Sequence, residues 1–268
     1  GADNTNSYSE YNSWNQLTKT MQNGKTASYT YNGDGLRMSK TVDGKTTKHI
    51  WDGTDIVGDV TDGTVTKYIR GLQLISSKNG SNENFYTYNG HGDVVQLTNN
   101  TGAITKQYNY DAFGVETNKT NNDTNPFRYC GEYYDIETDS VYLRARYYRP
   151  TTGRFITEDS YWNVDNMIYG NSNDKKPNIN AIIQSGSLYI YCNSNPVRMI
   201  DPDGKYIVDS AARNIWRLGA EYYLRNRKGW YLTATLLELS TYGSGQHFEA
   251  HNGEYAADLI KYNSGFRK

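Results

Sequence analysis

Tyr29-Thr30-Tyr31-Asn32-Gly33-Asp34-Gly35 sets a pair of tyrosines on a β-prone run directly against a turn of Asn, Asp and Gly. The unit returns as Tyr86-Thr87-Tyr88-Asn89-Gly90-His91-Gly92-Asp93 and as Tyr108-Asn109-Tyr110-Asp111-Ala112-Phe113-Gly114, and Trp51-Asp52-Gly53 opens a degenerate copy. Tyr11 to Tyr31 and Tyr31 to Trp51 are 20 residues each, and Tyr88 to Tyr110 is 22. A repeat of that length, punctuated by Asn-Gly and Asp-Gly pairs that accept positive φ, spells consecutive β-hairpins. Between turns the pattern alternates, as in Thr64-Val65-Thr66-Lys67-Tyr68-Ile69-Arg70, which marks strands with one buried face. One hairpin cannot bury that face alone, so neighbours must stack. The expected class is mainly β, with no helix in the first 130 residues.

The composition agrees. Among 268 residues only 36% are hydrophobic, yet there are 26 Tyr against 6 Phe. Tyrosine buries a large ring while its hydroxyl stays bonded or wet, which suits a thin sheet. A net charge of -1 gives the repeats no electrostatic attraction for nucleic acid or an anionic membrane. No apolar run reaches transmembrane length, and no N-terminal signal pattern is present. The opening at Gly1, directly in turn-rich repeats, reads as a piece of a longer protein. Cys130 and Cys192, 62 positions apart and outside any CxxC or zinc spacing, read as buried free thiols. No cofactor motif and no metal-ligand spacing is found.

Beyond the repeats, Tyr142-Leu143-Arg144-Ala145-Arg146-Tyr147-Tyr148-Arg149-Pro150-Thr151-Thr152-Gly153-Arg154-Phe155 reads as an aromatic-lined strand running into a tight turn. It delivers Glu158 and Asp159 just beyond. Pro196-Val197-Arg198-Met199-Ile200-Asp201-Pro202-Asp203-Gly204 holds a second carboxylate in a rigid turn. Residues 163–187 form a polar, Asn-rich surface insert with a short helix at Ile179 to Gln184, followed by a strand at Ser187 to Cys192. From Tyr206 onward hydrophobic residues fall at three- and four-residue intervals, which predicts helices starting near Val208, at Tyr231 to Ser240 and at Glu254 to Tyr262. The expected division is 1–124 hairpins, 125–205 core with its insert, and 206–268 a helical segment.

These units resemble the YD repeats of the rearrangement-hotspot (Rhs) family, which includes toxin-complex C subunits, wall-associated toxins and teneurins. Asn125-Pro126-Phe127-Arg128-Tyr129-Cys130-Gly131-Glu132-Tyr133-Tyr134-Asp135, leading into Tyr142–Tyr148, resembles the Rhs-associated core. The resemblance implies stacked hairpins forming part of a spiralling shell, closed at one end by the core, that encloses a C-terminal toxin of the same polypeptide. It also implies secretion or surface display, an upstream shell and an immunity protein. In such proteins two aspartates release the toxin by self-cleavage. Carried over, they fall on Asp159 and Asp201, the family's arginine on Arg146, and the cut just after Gly204 or Lys205. Asp159 departs from the pattern, being followed by Ser160-Tyr161-Trp162 rather than Pro-x-Gly, and Lys205 stands where leucine is usual.

Two neighbouring carboxylates sharing a proton can supply a base and an acid to a peptide bond, with a guanidinium to orient them. The same residues also read as ordinary turn formers, Asp159 capping a bend and Asp-Pro-Asp-Gly making a turn. Residues 206–268 read as a pre-toxin segment or as a nuclease-like toxin. His247-Phe248-Glu249-Ala250-His251 lacks the His-Glu-x-x-His offset and reads as loop. An adhesive, carbohydrate-binding role would use exposed Tyr and Trp51.

Overall fold

The computed structural model describes residues 7–22, 24–120, 123–170, 176–211 and 213. Eleven strands run as one antiparallel meander in sequence order. They are β1 (Tyr8–Tyr11), β2 (Leu17–Gln22), β3 (Lys25–Tyr31), β4 (Arg37–Val42), β5 (Lys45–Asp52), β6 (Asp55–Thr61), β7 (Thr64–Arg70), β8 (Leu74–Asn79), β9 (Asn82–Tyr88), β10 (Val94–Thr98) and β11 (Ile104–Gln107). Tight two-residue turns such as Asp43-Gly44 and Asp62-Gly63 place both residues at positive φ, 47° and 84°, then 50° and 77°. That is the twist-matched hairpin turn that Asp-Gly favours.

The wider turns explain the repeat. The Asn or Asp after each tyrosine pair caps its own loop: Asn32 Oδ1 accepts from the backbone N–H of Asp34 and Leu36, and Asp111 Oδ1 from Phe113 and Val115. The preceding residue then reaches back one hairpin to a strand-start carbonyl. Tyr31 donates to Leu17 O, Trp51 to Arg37 O, Arg70 to Ile56 O, Tyr88 to Leu74 O and Tyr110 to Val94 O. The motif is thus a brace between successive hairpins, and Arg70 fills a position where the tyrosine pattern is absent.

A second, four-stranded sheet packs on the first: β12 (Tyr133–Asp135), β13 (Ser140–Leu143), β14 (Arg146–Arg149) and β15 (Arg154–Phe155). The two sheets share a core in which Leu17, Tyr29, Ile56, Tyr68 and Leu74 meet Phe127, Tyr133, Tyr142 and Tyr147. At its centre the Arg37 guanidinium is fully buried against Asp135, 3.1 Å from Nη2 to Oδ1. Tyr29, Tyr133, Tyr142 and Tyr147 surround it, their ring centres 4.3 to 5.8 Å away. Arg37 Nε donates to His49 Nε2 at 3.1 Å, so that nitrogen carries a lone pair. The proton of the neutral imidazole then sits on Nδ1 and is donated to Asp59, 2.6 Å away. Asp59 also accepts from the hydroxyls of Tyr68 and Tyr133. Arg37, Asp135 and Asp59 in this network each have partners, which is the condition for burying a charge.

Three local expectations are corrected. The stretch Leu143–Tyr148 is not one strand: Arg144 takes φ 62° and reverses the chain, making a β13–β14 hairpin. Ser187 to Cys192 forms no strand, only a single bridge from Ile190 to Arg154, because Cys192, Asn193 and Ser194 turn with positive φ. The helix of the insert, α1 (Ile179–Ser185), lies where the sequence places it. Val208 itself pairs as a strand, β16 (Met199–Ile200) with β17 (Val208–Asp209), and the described residues that follow, 210, 211 and 213, are helical, so the expected helix begins just past it. The helices expected at Tyr231 to Ser240 and Glu254 to Tyr262, like His247 and His251, lie outside the described residues. Cys130 and Cys192 are both free and buried.

Candidate functional site

The β16–β17 hairpin presents residues 201–207 as its connecting loop and lays them on the β13–β14 turn. That turn holds the loop from both sides. Ala145 N–H donates to Asp203 O at 3.1 Å, and Arg144 Nη1 donates to Pro202 O at 2.6 Å. Arg144 is itself anchored by Glu132 Oε2 at 2.8 Å and Thr54 O at 2.8 Å, joining loop, core and large sheet. Gly204, at φ 76°, is required here. A Cβ would fall 2.8 Å from both Arg146 N and Leu143 O, and no side chain fits that approach.

Arg146 leads out of the same turn along β14, and its buried guanidinium makes three contacts. Nη1 lies 3.2 Å from Asp159 Oδ2, Nη2 3.3 Å from Asp201 Oδ2, and Nε donates to Gly204 O at 2.5 Å. The ring of Phe155 lies under it, 3.6 Å from the guanidinium carbon. The sequence-derived candidates Asp159, Asp201, Arg146 and Gly204 are therefore in one place, with Lys205 adjoining. Asp159 does two jobs: Oδ1 accepts from Tyr161 N–H in a local bend while Oδ2 faces Arg146. The two aspartates bond to the same guanidinium and not to each other, so the arginine takes the place of a shared proton.

Asp201 is the buried member, with a side chain 0% exposed against 16% for Asp159. Burial pushes its carboxyl up to about 7; Arg146 works against this and Asp203 adds to it. Its Oδ1 accepts from Gly204 N–H at 2.8 Å and from Lys205 N–H at 3.1 Å. Burial pulls the Arg146 guanidinium below its ordinary basicity, against the pull of Asp159 and Asp201.

Asp203 was missed from sequence. Its Oδ1 also accepts from Lys205 N–H, at 3.0 Å, so the amide nitrogen following Gly204 lies between two carboxylates. The signal was present, as the second acid of Asp-Pro-Asp-Gly, but that spelling is equally that of a plain turn. Arg144 was read only as part of a strand.

The family model described as Teneurin YD-shell matches residues 4–197. Among curated proteins, the tRNA nuclease WapA of Bacillus subtilis is 34% identical over 200 residues, 71% of this chain and 8% of that protein. The tRNA(Glu)-specific nuclease WapA of Bacillus subtilis subsp. natto is 34% identical over 263 residues, 94% of this chain and 10% of that protein. The chain thus spans about a tenth of these relatives. Among solved structures, TcdB2-TccC3-TEV superposes with a TM-score of 0.55 at 19% identity, covering 74% of this chain and 10% of that one. The Photorhabdus luminescens Tc holotoxin pore does so at 0.51 and 18%, with the same coverage. At that identity the likeness is one of fold.

Proposed function

This chain belongs to the Teneurin YD-shell family, and from that premise we propose that it closes an Rhs-type toxin shell and cuts its own backbone between Gly204 and Lys205. The observation that carries the proposal is the triple contact of Arg146 with Asp159, Asp201 and the Gly204 carbonyl. Water attacks the Gly204 carbonyl carbon and gives a proton to ionised Asp159, the more exposed carboxylate. The oxyanion that forms stays on Arg146 Nε, already bonded to that oxygen. Asp201, protonated below about pH 7, gives its proton to the Lys205 nitrogen it already touches. The C–N bond breaks, leaving a carboxylate on Gly204 and an amine on Lys205.

Mass spectrometry of the purified chain tests this. Wild type incubated at mildly acidic pH is expected to split after Gly204, while Asp201→Asn stays whole. An intact wild type ends the proposal. The enclosing of a C-terminal toxin, secretion or surface display, an upstream shell and an immunity partner belong to the same reading. Among the described residues no helix is long and apolar enough to cross a membrane.

A second reading concerns the part released. Beyond Lys205, residues 206–268 of the released part are 63 of the 268, about a quarter of the chain, whereas the natto-type match leaves out only 6%. That match therefore runs into the segment, which supports a nuclease acting on tRNA there. Incubating the released segment with total tRNA tests it; no loss of any tRNA after prolonged incubation would exclude this activity.

A further inference from the structure

The β9–β10 turn meets the core at a cluster that neither the hairpin brace nor Arg146 uses. Asp93 Oδ1 lies 2.9 Å from His91 Nδ1 and accepts the Cys130 N–H at 2.9 Å, while Oδ2 accepts from the Asn89 amide at 2.8 Å. Cys130 has φ 56° in the 129–131 turn and is 5% exposed, as is Asp93. One donor atom from each of His91, Asp93 and Cys130 lies within 4.8 Å of the others. His91 Nε2 is buried without a hydrogen bond of good geometry; burial opposes a charged ring, but Asp93 and, after it, the backbone of Met199 and Pro196 outweigh this and raise its basicity.

We propose that His91, Asp93 and Cys130 bind one divalent transition metal ion of the zinc class. The donors are an imidazole nitrogen, a carboxylate oxygen and a sulfur. That mixed set suits Zn²⁺ and its chemical stand-in Co²⁺, and it is wrong for Ca²⁺ or Mg²⁺, which take oxygen ligands. Metal–ligand bonds of about 2.0 to 2.3 Å need the donor atoms somewhat closer than they now stand, which side-chain rotation supplies. Binding replaces the His91–Asp93 hydrogen bond: the Nδ1 proton of His91 and the thiol proton of Cys130 are both released to solvent, leaving a neutral imidazole with its proton on Nε2 and a thiolate as ligands. Three protein donors leave a fourth position for a small ligand. The ion would pin the large sheet to the core across residues 93 and 130, beside the segment leading into Asp201. None of this depends on self-cleavage.

The test uses the whole chain, refolded under reducing conditions with Co²⁺ or Zn²⁺ and also titrated after folding. One equivalent of Co²⁺ is expected, with a sulfur-to-cobalt charge-transfer band in the near ultraviolet, and a rise in melting temperature that a chelator reverses. Cys130→Ser should abolish the band, and His91→Gln and Asp93→Asn should each weaken binding at least about tenfold. Circular dichroism checks that each variant folds; His91, the more exposed member, gives the variant least prone to misfolding. Absence of the band from wild type under both loading conditions would overturn the proposal. So would binding of undiminished affinity in Cys130→Ser or His91→Gln, which would put the metal elsewhere, at Cys192 or at His247 and His251.

Discussion

Arg146 carries more of the proposed chemistry than either aspartate, because it alone touches both carboxylates and the carbonyl oxygen between the two halves of the product. Arg146→Lys keeps a positive charge but cannot make three directed contacts at once. The self-cleavage rate in that variant is expected to drop by about 10²- to 10⁴-fold, measured by gel densitometry over time. Asp201 sets the alkaline limit. Its acid form is the proton donor, so cleavage should fall as pH rises through about 7. Asp203 is one of the groups that raise Asp201, so Asp203→Asn should move that limit to lower pH. A limb that stays in place in Asp203→Asn would argue against this origin. Asp159, Asp201 and Arg146 were legible in the sequence only through resemblance, since their spacing follows no helical or strand period. Asp203, Arg144 and the His91–Cys130 cluster were not. Turn residues carry no signal for what they touch, and Cys130 stands far along the chain from His91.

At the level of elements, the repeat was readable because its turns depend on residue type: Asn, Asp and Gly where φ is positive, tyrosine where a hydroxyl must reach back. Tyr88→Phe removes one brace and strands Leu74 O, and should cost about 1 to 3 kcal/mol in urea denaturation. The β13–β14 hairpin was invisible because its reversal falls on Arg144, a residue with no preference for positive φ. The Arg37 network was equally hidden, since a charged residue inside a strand pattern reads as solvent-facing. Arg37→Met leaves Asp135 buried with only Lys40 as cation and should destabilise by about 3 to 5 kcal/mol. The same network fixes an acid response. Burial opposes ionisation of Asp135, but Arg37 and Lys40 outweigh it and hold its carboxyl at about 2, and the hydrogen bonds of His49, Tyr68 and Tyr133 likewise lower Asp59. These contributions are complete above the ordinary carboxylate value of about 3.9 and are lost as pH falls toward 2. Burial also lowers His49, so the unfolded chain takes up a proton near pH 6.5 that the folded one refuses. The His49 contribution therefore falls from about pH 6.5 downward, while proton uptake by folded Asp201 near 7 adds stability over the same range; His49→Gln should accordingly hold its stability better than wild type between about pH 7 and 5 in a pH series of denaturation curves.

Across the whole molecule, the two sheets, the 201–207 loop and the β16–β17 hairpin are tied together by contacts that do not involve the Gly204–Lys205 bond itself. Residues on both sides of that bond keep independent anchors: Arg144 on Pro202, Ala145 on Asp203, and the pairing of Met199 and Ile200 with Val208 and Asp209. Cut chain is therefore expected to elute as one species in native gel filtration and to separate into two only in denaturant. Immediate separation under native conditions would contradict that. The Gly204 carbonyl rests against Arg146, so the carboxylate born there finds its counter-ion already in position. The site would act once and then be occupied by its own product. Severing the chain and letting the far piece go become two separate events, and something that pulls β17 from β16 must supply the second.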